Sequence, residues 1–168
     1  KNEIKELPLG RGLSPKDTVI KNAVNKATEA AKKIRKGIIV SADTIIYKDG
    51  KVLGKPGSKL KAQKMLNFLK GKTHYVYTGL AIYDLYSDII ISDYERTKVI
   101  FRDYSPTEVN KHLKLEDPTD KAGSYNLDGM GAMLYAKIDG CYYNVLGLPL
   151  AKLEEMFKKL GISIFDFI

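Results

Sequence analysis

The chain has 168 residues, 44% of them apolar and 29% charged, with a formal net charge of +8. That length suits one domain, 1–168, around one core, and the composition excludes a disordered chain. No apolar run approaches the roughly 20 residues that a bilayer span requires, so no membrane partner is expected.

Cys141 is the single cysteine, which permits neither an internal disulfide nor a zinc signature. Nothing reads as an export signal, and a reducing cytoplasm is the expected setting. A basic chain favours polyanions. The lysines, however, read as scattered over all segments, with short clusters only at Lys32-Lys33 and Lys158-Lys159. RNA-binding signatures with interleaved aromatics and arginines are missing, so a solvated lysine-rich surface is favoured and no specific nucleic acid is expected.

The first helix opens at Ser14 as N-cap, with Pro15 in the first helical position and Asp17 completing a capping-box-like start. Val19, Ile20, Ala23, Val24, Ala27, Ala30, Ala31 and Ile34 recur at helical spacing, and Gly37 closes the unit. A strand over Ile38–Tyr47 turns at Asp49-Gly50 into Val52-Leu53. A second helix begins near Ser58, carries Leu60, Met65, Leu66 and Leu69 on one side, and stops at Gly71.

Two long alternating strands follow, "THYVYTGLAIYD" and "DIIISDYERTKVIFRDY", the first with Val76, Thr78, Leu80 and Ile82 on one face. Ser105 to Glu108 is a capping box for a short helix through about Leu113. Asp117–Gly131 reads as a loop. "GAMLYAKIDGCYYNVLGLP" reads as a hairpin around Asp139-Gly140, with Tyr142 and Tyr143 in a strand. Pro149 starts a last helix with Leu150, Leu153, Met156, Phe157 and Leu160 inward. Helices interleaved with paired strands predict an α/β domain with a mixed sheet.

Three charges break the local pattern. Asp43 interrupts an apolar strand, where a carboxylate must be hydrogen-bonded, paired or metal-bound; catalysis and the capping of a neighbouring loop stand as equal readings. Lys26 projects on the buried stripe of the first helix, where a snorkelling stem is the commoner outcome. Lys55 is held between Gly54 and Pro56, where an exposed turn lysine is the plainer reading. Taken together, one carboxylate able to hold Mg²⁺ or activate water, plus two placed amines, make the minimal kit for a polyphosphate substrate. Thr44 adds a hydroxyl beside Asp43. His74 and His112 lack metal spacing, no phosphate loop or dinucleotide fingerprint occurs, and Cys141 reads as structural.

"SADTIIYKDGKVLGKP", "LKGKTHYVYTG", "DKAGSYNLDGMGA" and "YYNVLGLPLAKL" resemble the Maf (septum-formation) family of nucleoside triphosphate pyrophosphatases, in the family's order, over about Lys16 to Leu160. The resemblance implies a strongly twisted sheet flanked by helices around a central cleft, related to the inosine-triphosphate pyrophosphatase fold, and commonly a homodimer. It implies hydrolysis of a nucleoside triphosphate to the monophosphate and pyrophosphate, with Mg²⁺ or another divalent ion such as Mn²⁺. Carried over residue by residue, Asp43 is the base or metal ligand, Lys26 and Lys55 neutralise phosphates, and Thr44 belongs to the substrate site. Asp128, in the loop near the nucleotide, is assigned to substrate binding as well, with contact to base or ribose, metal binding and capping of the loop all open to it.

The motifs look more like the dTTP/UTP branch than the 7-methyl-GTP branch, although that branch usually has Gln where this chain has Asp128. The family's opening strand and Ser-Pro-Arg-Arg loop have no counterpart ahead of Lys1, so the N-terminal arginine clamp is expected to be missing from the sequence as it stands. The alternative expectation is a nucleotide-binding regulator of cell division with little or no turnover.

Overall fold

The computed structural model describes residues 12–115, 119, 121–125 and 127–167, the side chains of 166 and 167 excepted. Among the described residues, five strands form one sheet in the order β2-β1-β3-β4-β5, built from β1 (Ile38–Lys48), β2 (Lys51–Leu53), β3 (Thr73–Asp84), β4 (Ile89–Phe101) and β5 (Tyr135–Asp139). One helix, α1 (Pro15–Ala31), covers one face. The other face carries α2 (Lys59–Leu69), α3 (Pro106–Leu115), the single turn α4 (Tyr142–Val145) and α5 (Leu150–Lys159). No helix among the described residues is long and apolar enough to cross a membrane.

Local chemistry explains most boundaries. Ser14 Oγ accepts the Asp17 amide at 3.2 Å, satisfying a donor that the start of α1 leaves unpaired. At α3, the Ser105 amide donates to Glu108 Oε2 at 2.7 Å while the Glu108 amide donates to Ser105 Oγ at 3.2 Å, a reciprocal capping box. Asp49 and Gly50 both have positive φ (47° and 77°), the primed geometry that a two-residue hairpin between β1 and β2 requires.

The expected α/β architecture is present, but all four described strand pairings are antiparallel rather than mixed. The reason is the position of β1. Strands β2 and β3, joined by α2, run parallel to each other, but β1 lies between them and pairs antiparallel with both. The helical crossover is therefore legible, and its two strands are simply not neighbours.

A second expectation fails at Asp139-Gly140. The turn exists, but Tyr142 and Tyr143 lie in α4 rather than in a returning strand. Gly140 has φ 128° and sits so close to Thr97 that a Cβ would lie 3.0 Å from its Oγ1. Beyond it Asn144, fully buried, donates to Val76 O at 3.1 Å and to Thr97 Oγ1 at 2.9 Å, which fixes a helical turn over β3 and β4. Leu60, expected on the apolar side of α2, and Leu150, expected inward, lie in the first turns of α2 and α5 and are exposed. Of the expected loop at 117–131, residues 117, 118, 120 and 126 lie outside the described residues.

The larger core lies between the sheet and α2/α3, around Leu66, Leu69, Val76, Val99, Phe101 and Tyr104. His74 is buried within it, its Nε2 2.8 Å from the Tyr125 hydroxyl and its ring edge-on to Phe101. Burial, with help from the nearby Lys48 ammonium, lowers its pKa from 6.5 to about 3. A histidine that ionises less readily folded than unfolded stabilises the fold fully above 6.5 and loses that contribution as pH falls toward 3. Urea midpoints should therefore drop between pH 7 and pH 5, with a His74 share of up to about 1.4 kcal/mol per pH unit. His74→Gln should show a shallower drop; equal slopes in the two proteins would refute the assignment.

Candidate active site

Asp43 lies in the middle of β1 and pairs with Gly79 of β3, which pairs in turn with Tyr94 of β4. Cross-strand partners share a face, and this row faces α1. Gly79 determines how close the helix comes. A Cβ there would fall inside the Val19 carbonyl group and 2.7 Å from the Ile20 nitrogen, so α1 rests on bare strand backbone. Ser41 fastens the same helix further along, donating from Oγ to Ala23 O at 2.6 Å.

With α1 at that depth, two of its side chains reach Asp43. Lys26 Nζ lies 2.5 Å from Oδ1, and Asn22 Nδ2 donates to Oδ2 at 2.9 Å. Asp43 is 4% exposed and Asn22 3%, whereas the Lys26 side chain keeps 25% of its surface in solvent. Each carboxylate oxygen thus has a donor, and the charge is balanced by an ammonium that can still move toward water. Lys26 thus pairs with Asp43 while part of its side chain stays in solvent. A buried ion pair of this kind adds little net stability, because desolvation offsets the attraction.

Asn22 escaped the sequence reading. Its signal was available: it sits on the same apolar stripe as Val19, Ala23 and Lys26, one turn before the lysine. Gly79, alone inside an alternating strand, was a second unread sign of close backbone approach.

The remaining candidates lie elsewhere. Thr44 faces the opposite side of the sheet, its Oγ1 2.9 Å from Thr78 Oγ1. Thr78 donates its one proton to Asn144 O at 3.0 Å, so Thr44 is the donor in the hydroxyl pair. Thr97 extends this network by donating to Cys141 O at 3.0 Å. Thr44 therefore helps hold the α4 segment rather than touching Asp43.

Lys55 is exposed, two residues beyond the last β1–β2 rung, and forms no ion pair among the described residues. Its turn is nonetheless fixed on both sides: the Gly123 amide donates to Gly54 O and the Gly57 amide to Thr119 O, each at 3.1 Å. Asp128 accepts from the Tyr142 hydroxyl at 2.7 Å, and that bond is the main reason the phenol is pushed up to about 12. The structure thus brings Lys26 and Asp43 together and leaves Lys55, Thr44 and Asp128 out of contact with them.

No group of three or more histidine, cysteine or acidic side chains that could hold a metal occurs among the described residues. Asp43 is the carboxylate at this site among the described residues. Its oxygens each receive one donor and retain lone pairs, so it can contribute one ligand to an ion whose other ligands are phosphate oxygens and water. That donor chemistry fits Mg²⁺ or Mn²⁺ arriving with a phosphorylated substrate.

A helix-and-sheet domain with a paired carboxylate and ammonium on its β1–α1 side is the class of protein that fold and site define. More particularly, the chain belongs to the Maf-like protein family, which it matches over residues 1–160, and the resemblance read from its motifs is borne out. It is 39% identical over 155 residues to the dTTP/UTP pyrophosphatase of Dictyoglomus thermophilum, covering 92% of this chain and 80% of that one. The dTTP/UTP pyrophosphatase of Clostridium tetani is 43% identical over 148 residues, 87% of this chain and 77% of the relative. That of Bacillus cereus is 39% identical over 163 residues, 97% of this chain and 84% of the relative.

Proposed function

We propose that this chain is a nucleoside triphosphate pyrophosphatase acting on dTTP, UTP or modified relatives of them. Water attacks the α-phosphorus, the bond from that phosphorus to the α,β-bridging oxygen breaks, and the products are a nucleoside monophosphate and pyrophosphate. The observation that carries this reading is the Lys26–Asp43 pair, a buried strand carboxyl group 2.5 Å from a lysine amine whose side chain retains access to solvent. The names of the family relatives support the reaction and the pyrimidine preference.

In this reading the triphosphate draws the Lys26 ammonium off Asp43 and onto phosphate oxygens, where charge develops as the bond breaks. Asp43, relieved of its partner, accepts the proton of the attacking water. Asn22 continues to hold Oδ2 and fixes the orientation of the carboxylate. A divalent ion, when bound by Asp43 and the substrate, supplies further neutralisation of the phosphates. Lys55, on its anchored turn, meets the departing pyrophosphate, and Asp128 with Tyr142 borders the nucleoside. A homodimer in the cytoplasm is the assembly and setting we assign to it.

The test is a product assay with Mg²⁺ over a panel of purine and pyrimidine triphosphates. Monophosphate and pyrophosphate in equal amounts, fastest from dTTP and UTP, is the expected result. Release of orthophosphate with a diphosphate would overturn the reaction. Tight nucleotide binding without turnover would favour the regulatory alternative.

A further inference from the structure

The positive charge is not spread along the chain as the sequence first suggests. Between Lys48 and Lys72 there are eight lysines and one acidic residue, Asp49, so this stretch holds +7 of the net +8. It comprises the end of β1, the β1–β2 turn, β2, α2 and the lysine that precedes β3.

Three of these lysines converge. The ammonium groups of Lys48, Lys51 and Lys72 lie 5.3, 5.6 and 5.7 Å from the centroid of the Phe68 ring on α2. Lys48 and Lys51 are direct partners in the β1–β2 register, a like-charged pairing that opposes strand association. Lys48 is also 6% exposed, so its charge is largely withdrawn from water. The π face of one phenyl ring offsets only part of three ammonium charges. Asp49 compensates one of them, at 2.7 Å from Lys48 Nζ. Beside the cluster is an open hollow of about 180 Å³, lined by Lys51, Leu53, Lys64, Met65 and Phe68.

We propose that this hairpin–helix junction is a second anion site, separate from the Asp43 cluster, for a small molecule carrying two or more linked phosphate groups. Several amines around one point suit a multiply charged phosphate chain better than a single carboxylate. The hollow admits a few phosphate units rather than a length of duplex. Lys48 points to the sheet face opposite Asp43 and lies five residues along the strand, roughly 16 Å away. The two sites therefore do not share side chains. The ligand is either free pyrophosphate or the tail of a nucleotide, and the chemistry of recognition is the same for both.

The experiment is calorimetric titration of inorganic pyrophosphate, and separately of thymidine diphosphate, into the wild-type chain and the Lys51→Gln/Lys72→Gln double variant at low salt without divalent ions. Both lysines are exposed, so the variant should fold, and circular dichroism checks this. At least a tenfold loss of pyrophosphate affinity in the double variant is expected, with loss of the nucleotide arm only if the tail is recognised too. Equal pyrophosphate binding by both proteins would overturn the site. So would steeply salt-dependent binding of a single-stranded oligonucleotide with no pyrophosphate binding, which would make the patch a nucleic-acid surface. Nothing here depends on turnover, so a catalytically inert protein leaves the test intact.

Discussion

Asp43→Asn should lower the rate of pyrophosphate release by about 10² to 10³, equivalent to roughly 3–4 kcal/mol of barrier, the range found when one preorganised charge-stabilising group is lost. The substitution preserves shape. The new side-chain oxygen still accepts from Lys26, and Asn22 can turn its amide to meet the new NH₂ group. Lys26, already a quarter exposed, can move its ammonium to water. The urea midpoint should accordingly change little, and the effect should fall on the rate of the chemical step rather than on folding. Activity within tenfold of wild type, in a protein of normal stability, would remove Asp43 from the chemistry.

Gly79→Ala should be strongly damaging for the addition of a single methyl group. The added carbon meets the backbone of α1, which cannot rotate away as a side chain could. The helix must lift from the sheet, at a cost of about 3 kcal/mol, the upper part of the usual range for overpacking. Lifting the helix also carries Asn22 and Lys26 away from Asp43, so activity should fall with stability even though Gly79 touches no substrate. Denaturant titration and the product assay check both halves. A variant with wild-type midpoint and rate would mean that the helix can shift without consequence for the site.

How much of this was legible depended on what each residue had to overcome. Asp43 and Lys26 stood out in the sequence because a charge in an apolar strand or on an apolar helix stripe needs a reason, and the two turn out to be each other's reason. Which atoms meet was not legible, because that depends on the depth at which α1 sits, and so on Gly79 in β3 and on Ser41 two residues before Asp43 in β1. Tyr142 and Tyr143 read as strand because aromatics after an Asp-Gly turn favour one. The buried bonds of Asn144 outweighed that preference. Leu60 and Leu150 fit an apolar period yet fall in first turns, where the helix has not reached the core. The sheet read as mixed because helices interleaved with paired strands suggest parallel as well as antiparallel neighbours, and no local signal announces that β1 lies between β2 and β3.

Asp43 and Thr44 are chain neighbours that serve opposite sides of the sheet, one meeting α1 and the other the Thr78–Asn144 network beneath α4. Both environments are therefore tuned to the parity of one strand. Slipping β1 by a single position would exchange them, driving an ionised acid among hydroxyls and backbone carbonyls while the ammonium of Lys26 faced an alcohol. Insertions or deletions that preserve this protein must accordingly fall outside Ile38–Lys48 or come in pairs.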